Sequence, residues 1–533
     1  MELTNQAEIV SPPLIMVISM YAYFLSLTIW QIKYNLLRQN FIGVICDLKY
    51  DETNPSSIKE YGERLIGKRF LDVLNATELN EESKTDIIAK VNNPNYKGGM
   101  GHLIEKYHFE YEINSDSQPD FPEAGVELKV TPFEIGKRGG YSAGERLVIT
   151  MISYKEAIEE DFYNSNVYKK LYLTLLIHYL RNRELTRMEY PIEFVTLFTP
   201  PEEDMKIIQQ DYVKIMNKVK EGRAHEISEG DTMYLGACTK GANSVKSNVP
   251  QDYYAPGQKA RKRAFSFKQS YMTYILNKYV REKVITYEPI LHSSEEIKDI
   301  TFEELIVDKI NEYRGQSDMQ LSQVFNVNPK SKHLWSQLSY HMLGIKSGSA
   351  EEFVKANLEV KTIRIEEDGK IEQSISFPAI VFKEFINEEW EESDFYNNLS
   401  SKRYLFVTFK KQGDEYILKG CQLWNISNED LTEASLGWKS IQQVLRQGVE
   451  LWKNYNKDGI SFTVRNNFPK KDGNRIIHIR PHTSKRFYKL ETGEIIGGNE
   501  SYGDELPDGR MMTKQCFWLN NTYIISQLKD YMK

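Results

Sequence analysis

The chain repeats itself over a long distance, and that repeat constrains its fold more than any other feature. AGVELKV (Ala124 to Val130) returns as ANLEVKT (Ala356 to Thr362), which lays Glu127 over Glu359 and Lys129 over Lys361. AFSFKQSYMTYIL (Ala264 to Leu276) returns as CFWLNNTYIISQL (Cys516 to Leu528), pairing Phe265 with Phe517, Tyr271 with Tyr523 and Leu276 with Leu528. Nearly the same length of chain separates the two segments in each copy. Solenoid units recur every ~20 to 50 residues, so this is a diverged tandem duplication of one large domain.

A chain of 533 residues with 41% apolar and 27% charged content has room for two hydrophobic cores. Its formal charge of -7 excludes a polycation that holds nucleic acid by bulk charge, so any DNA-binding surface has to be local. The four cysteines are far apart and form no CxxC cluster, and the nine histidines form no HExxH pattern. A metal, if used, is therefore held by oxygen, and the free thiols suit a reducing cytoplasm. Ile9 to Ile32 carries no charge, and LIMVISMYAYFLSLTIW is apolar enough to span a bilayer. Two readings of residues 1-48 stay open: a membrane segment, which would give the protein its only membrane contact, or a start-site artefact.

Period and composition predict helices from Lys49 to Tyr107, then strands in HFEYEI, GVELKVTPF, ERLVITMISY and EFVTLF. Asn164 to Leu180 reads as helix or buried strand, and Asp204 to Gly222 and Arg263 to Tyr279 as helices. YEPILHSSEEIKD reads as a linker, after which the order restarts. TFEELIVDKINEY, MQLSQVFNV and SIQQVLRQGVELWKNY read as helices; ANLEVKTIRI, SISFPAIVF and KRYLFVTFKK read as strands. The expected class is α/β (α+β), with a mixed sheet flanked by helices in each of two tandem domains. The expected boundaries are 49-285 and 301-533, joined by 286-300.

PDFPEAGVELK (Pro119 to Lys129) carries the chemistry. Phosphodiester hydrolysis needs a divalent ion, an activated water and positive charge near the transition state. Asp120 and Glu127 can supply two hard oxygen ligands, with a backbone carbonyl as a third. Residues two apart on a strand share a face, so Lys129 emerges beside Glu127 while Leu128 is buried behind them. The turn FPEAG can return Asp120 toward Glu127. Taken alone, the same three charges would decorate an ordinary surface hairpin.

KGGMGHLIE (Lys97 to Glu105), the Pro119 to Lys129 stretch, SNVYKKLYL, YLGACTKGAN and RAFSFKQSYMTYIL occur in that order. Together they resemble the MutH family of GATC endonucleases, most closely its type II restriction enzymes with two MutH-like halves. The resemblance covers nearly everything after residue 48. It implies a restriction-endonuclease-like fold, Mg²⁺ dependence and cleavage of duplex DNA at GATC. By position, Asp120, Glu127 and the Leu128 carbonyl become the metal ligands, and Lys129 the lysine beside the attacking water. Glu105 becomes an additional active-site carboxylate and Lys170 a second active-site lysine. By residue chemistry alone, Glu105 would read as a solvated helix carboxylate and Lys170 as a snorkelling lysine.

For DNA binding, the resemblance places Lys97 and Gly98 in a mobile loop that closes on the duplex. It places Thr239 and Lys240 in a loop inserted into the major groove. KARKRAFSFK adds Arg261, Lys262 and Arg263 as phosphate contacts. In the second half IIHIRPHTSKR holds the family's I-R-P pattern, which makes Arg480 a guanine reader, with Pro481, His482 and Lys485 beside it. Glu352 stands where Asp120 stands, one methylene longer, and QLSYHML has no counterpart to Glu105. The second half is therefore expected to bind DNA as a catalytically silent allosteric effector. The expected protein is a monomer in solution that engages two GATC sites and can pair on DNA. A GATC nickase of mismatch repair and a non-catalytic DNA-binding regulator remain alternatives.

Overall fold

The computed structural model describes residues 49-93, 96, 98-111, 118-136, 138-158, 161-182, 184-241, 247-284, 286-346, 348-371 and 374-533. The apolar stretch within residues 1-48 lies outside them, as does Lys97. Among the described residues no helix is long and apolar enough to cross a membrane.

The first half opens with helices α1 (Pro55–Glu63), α2 (Phe70–Asn75), α3 (Glu81–Asn92) and α4 (Gly99–Tyr107). Strands β1 (Glu127–Ile135), β2 (Tyr141–Ala143) and β3 (Leu147–Met151) follow, then α5 (Asn166–Leu171), β4 (Thr174–Leu180), β5 (Ile192–Phe198) and α6 (Glu202–Lys220). It ends with β6 (Leu235–Thr239), β7 (Asn248–Gln251), β8 (Ala255–Arg261), β9 (Arg263–Phe267) and α7 (Gln269–Ile275). Asn164 to Leu180 is thus both of the forms its pattern allowed, a short helix and then a strand. Two expectations fail here. The described residues of HFEYEI, 108-111, form no strand, and Arg263 to Tyr279 begins as β9 because alternating RAFSF is the central strand of a sheet, buried along its whole length.

The second half repeats the plan: α8 (Phe302–Asn311), α9 (Asp318–Val324), α10 (Leu334–Met342), α11 (Glu351–Ala356), β10 (Leu358–Ile365), β11 (Ile375–Ala379), α12 (Phe382–Phe385) and α13 (Asp394–Ser401). Then come β12 (Arg403–Gln412), β13 (Glu415–Trp424), α14 (Asn428–Gln447), β14 (Leu451–Tyr455), β15 (Phe462–Asn466) and β16 (Ile477–Pro481). Four short strands, β17 (Tyr488–Lys489), β18 (Ile495–Ile496), β19 (Gly503–Glu505) and β20 (Met511–Thr513), precede β21 (Gln515–Leu519) and α15 (Asn521–Ser526). The helix expected over SIQQVLRQGVELWKNY stops at Gly448, and LWKNY becomes β14, with Leu451 and Lys453 half-buried on one face and Trp452 exposed on the other.

The duplication is visible in the sheets. β1 runs parallel to β4, which pairs antiparallel with β5; β10, β12 and β13 do the same. A second sheet, β3-β9-β6, is matched by β11-β21-β16. Even one side-chain hydrogen bond is kept: Tyr271 donates to Asp204 (3.0 Å) near the start of α6, and Tyr523 donates to Asp430 (2.9 Å) near the start of α14.

The halves do not hang from a loose tether. Ile290, Leu291 and Ile297 of the 286-300 segment are buried in one apolar core that runs from Ala143 in the first half to Cys421 in the second. α7 packs against α11 across this junction. Ion pairs reinforce it: Glu303 accepts from Lys214 of α6 and from Arg403 of β12, and Arg261 pairs with Glu391.

Candidate active site

The opening turn does what its Pro and Gly suggest. Phe121 and Val126 exchange backbone hydrogen bonds of 2.9 and 3.1 Å around Gly125, whose φ of 66° lies in the left-handed region that favours glycine. The chain returns on itself and carries Asp120 to the edge of β1, where its Oδ2 accepts the Leu128 N–H at 2.8 Å.

Strand geometry fixes the rest. Glu127 donates its N–H to the Leu173 carbonyl (3.0 Å) on the β4 side, so Leu128 turns its backbone groups to the other edge. A strand residue's N–H and C=O face the same edge, and the Leu128 carbonyl therefore points to Asp120's side. Its side chain is buried behind the sheet in the core that α4 covers. Glu127 and Lys129 share the opposite face, with the Lys129 ammonium 2.5 Å from Glu127 Oε1. Lys170, in the last turn of α5, reaches the same carboxylate at 3.2 and 3.3 Å. Glu127 itself is almost wholly shielded from water.

α4 brings Glu105. Gly98 caps that helix with φ of 85°, a conformation natural to glycine, and Glu105 extends from it about two turns on. Burial and the neighbouring Asp120 charge push its carboxyl up to about 7. Burial and the Glu127 charge push Asp120 up as well. Added positive charge beside Glu105 and Asp120 would favour their ionised forms. Tyr111, which sequence reasoning missed, adds a hydroxyl shielded from solvent and without a hydrogen-bond partner among the described residues, in the field of Asp120, Glu105 and Glu127. Nothing in the sequence marks it, because it sits inside the strand-like HFEYEI and only the fold carries it here.

Among the described residues no three Asp, Glu, His or Cys side chains gather to hold a metal ion by themselves. Asp120, Glu127 and the Leu128 carbonyl together would offer two carboxylates and one carbonyl, all hard oxygens. That chemistry fits Mg²⁺.

The predicted DNA contacts divide. Thr239 and Lys240, half-buried, close β6, and the Lys240 N–H bonds the exposed Lys262 at its carbonyl (2.8 Å). Arg261 turns to Glu391 of the second half, meeting both carboxylate oxygens at 3.0 Å. Arg263 is buried and donates to the Ala237 carbonyl at 2.6 Å, so as an inward residue of a central strand it is not a phosphate contact. Arg480, exposed at the end of β16, stacks 3.7 Å above the Trp518 ring. Pro481, His482 and Lys485 are exposed beside it.

The second half's copy of the centre is rebuilt. Glu359 pairs with Lys361 and also with Lys402, which takes the place of Lys170 from a different position in the chain. Tyr340 stands near Glu359 on α10, where α4 carries Glu105. Glu352 is not a displaced ligand: it is buried and accepts the backbone N–H groups of Ile290 and Leu291 at 2.9 to 3.1 Å.

Comparison with known proteins agrees with this geometry. A family model described as the DNA mismatch repair enzyme MutH matches residues 109–211, the segment that holds Asp120, Glu127, Lys129 and Lys170. The type II restriction enzyme Sau3AI of Staphylococcus aureus is 34% identical over 505 residues, covering 89% of this chain and 98% of that protein. The DNA mismatch repair protein MutH of Shewanella baltica (strain OS185) is 26% identical over 186 residues, covering 34% of this chain and 79% of its own. That of Vibrio vulnificus (strain YJ016) is 28% identical over 170 residues, 31% and 70% of the two chains. With a restriction-endonuclease-like domain in place and full-length similarity to such an enzyme, the chain belongs to the MutH-related type II restriction endonucleases.

Proposed function

We propose that the first half, residues 49-285, hydrolyses phosphodiesters of duplex DNA at GATC, and that the second half, 301-533, binds another copy of the site and promotes cleavage allosterically. The observation that carries this reading is the convergence of Asp120, Glu127, Lys129 and Lys170 from a turn, a strand and a helix, with Glu105 in electrostatic reach. Asp120, Glu127 and the Leu128 carbonyl would hold Mg²⁺, which would supply charge neutralisation of the phosphate and acidify a bound water. Lys129, kept in place by Glu127, orients the attacking water along the strand face. Lys170 holds the other side of the same carboxylate and offers positive charge to the phosphorane as it forms. Glu105, with its carboxyl near 7, can take or hold a proton at working pH.

Gly98, Thr239, Lys240 and Lys262 would meet DNA in the first half, with Lys97 in the same role. In the second, the Arg480 guanidinium, oriented by Trp518, presents the bidentate donor pair that guanine accepts, with Pro481, His482 and Lys485 lining the groove. We take the protein to be a cytoplasmic monomer that pairs, if at all, on DNA. Plasmid cleavage with mapped ends tests the assignment: Glu127→Ala and Lys129→Ala should abolish double-strand cutting at GATC in Mg²⁺, and undiminished cutting would overturn it. Nicking without a double-strand cut would favour the mismatch-repair alternative. Arg480→Ala should reduce cleavage although it is remote from the catalytic centre.

A further inference from the structure

Between α14 and β16 the second half carries a hairpin, β14-β15, that the first half lacks; the matching stretch between α6 and β6 holds only two short 3-10 turns. One face of the hairpin is anchored. Leu451, Phe462 and Val464 pack on the second half's core, Lys453 bonds Glu494 at 2.6 Å, and Arg486 donates to the Phe462 carbonyl at 2.9 Å. The other face is not covered. Trp452 is 47% exposed and stands directly across from exposed Arg465, while Ile460 at the tip is 84% exposed.

A half-exposed tryptophan on an inserted and firmly anchored hairpin marks a contact surface. Charge selects the partner. Arg465, Lys457, Lys485 and Arg480 are all exposed and make no ion pair with an acidic side chain among the described residues, in a chain of net charge -7. Asp458, the acid nearest the tip, is engaged by the turn itself through the N–H groups of Ile460 and Ser461. Continuity selects it too: Arg486, which fastens the hairpin, directly follows Lys485 in the loop that leaves β16 just past Arg480.

We propose that β14-β15 is a DNA-contacting arm of the second half, laying Trp452 and Arg465 on the duplex backbone beside the bases that the 480-485 loop reads. The proposal rests on the reading of the second half as a DNA-binding domain. Arg465 and Lys457 meet phosphates, Trp452 packs on the sugar edge, and Ile460 has the character of the apolar side chains that enter a minor groove.

The test uses the full chain in EDTA, so that DNA is bound without being cut, with labelled duplexes carrying one GATC and either minimal or long flanks. Trp452→Ser and Arg465→Ser should weaken binding to the long duplex several-fold, leave the minimal one unchanged, and in the arginine variant lower the salt slope by about 1. Arg480→Ala, run in parallel, should weaken both. If Arg480→Ala loses affinity while the hairpin variants keep wild-type affinity and slope, the arm is refuted and the DNA-binding reading stands. If all three bind as wild type, the reading itself fails and takes the arm with it. A change in sedimentation mass on Trp452→Ser without DNA would make the face a contact between two copies of this chain, which also overturns the proposal.

Discussion

The Lys355 ammonium lies 2.7 Å from Asp204 Oδ1, joining α11 of the second half to the first turn of α6 in the first. Both side chains are almost fully shielded from solvent. The equivalent aspartate of the second half, Asp430, is paired instead with Arg475, whose side chain is 56% exposed. Lys355→Met should leave a buried carboxylate without its cation, at a cost of about 3 to 5 kcal/mol, whereas Arg475→Met should cost about 1 kcal/mol or less. Urea unfolding curves measure both, and equal losses would refute the burial argument.

Glu303 sets the acid limit of the same junction. Burial opposes its charge, but the Arg403 guanidinium and the Lys214 ammonium override burial and hold its carboxyl down to about 2 from the ordinary 4.5. A depressed carboxyl stabilises the fold fully above its unfolded value and loses that contribution as pH falls. The wild type should therefore shed stability between pH 4.5 and about 2, through this group, while Glu303→Gln is already weakened at neutral pH and flatter across that window. Thermal melts of the two proteins against pH give the comparison. Parallel curves would exclude Glu303 as the responsible group.

The duplication was legible because strand-and-helix segments such as AGVELKV and AFSFKQSYMTYIL keep their apolar pattern in both copies. The way Asp120 meets β1 beside Glu127 and Lys129 was legible because these residues lie close in sequence and a Pro/Gly turn dictates how they meet, whereas Glu105 and Lys170 are far from them in the chain and came only with the family resemblance. Lys402 was not: it reaches Glu359 from just before β12, whereas Lys170 reaches Glu127 from a helix, so alignment cannot equate them. Glu352 could not be read as a backbone clamp, since its partners Ile290 and Leu291 are remote in sequence. KARKR looked like one basic surface, yet the sheet sends Arg263 inward and the junction takes Arg261.

Metal and proton should compete at Glu105. Burial and the Asp120 charge hold its carboxyl near 7, so around that pH it is partly protonated; a divalent cation among the carboxylates favours the ionised form and should expel that proton. Titration calorimetry at pH 7 in buffers of different ionisation enthalpy should show proton release on adding Mg²⁺. The release should shrink in Glu105→Gln and vanish well above that pH, and chelation should reverse it. Release of the same size in the variant would place the proton elsewhere.

The two glutamates that the repeat superimposes should behave oppositely. Glu127 has Asp120, Glu105 and two lysines around it; Glu359 has two lysines and a tyrosine, and the acid that aligns with Asp120 is spent on the backbone at Ile290 and Leu291. One carboxylate with no second acid gathered beside it among the described residues cannot supply the oxygen set a divalent ion needs. Glu359→Ala should therefore leave the chemical step of plasmid cleavage within about threefold of wild type, while Glu127→Ala abolishes it. Single-turnover assays separate chemistry from binding. If Glu359→Ala eliminated the chemical step while DNA binding was intact, the second centre would be catalytic after all, and the division of labour between the halves would be wrong.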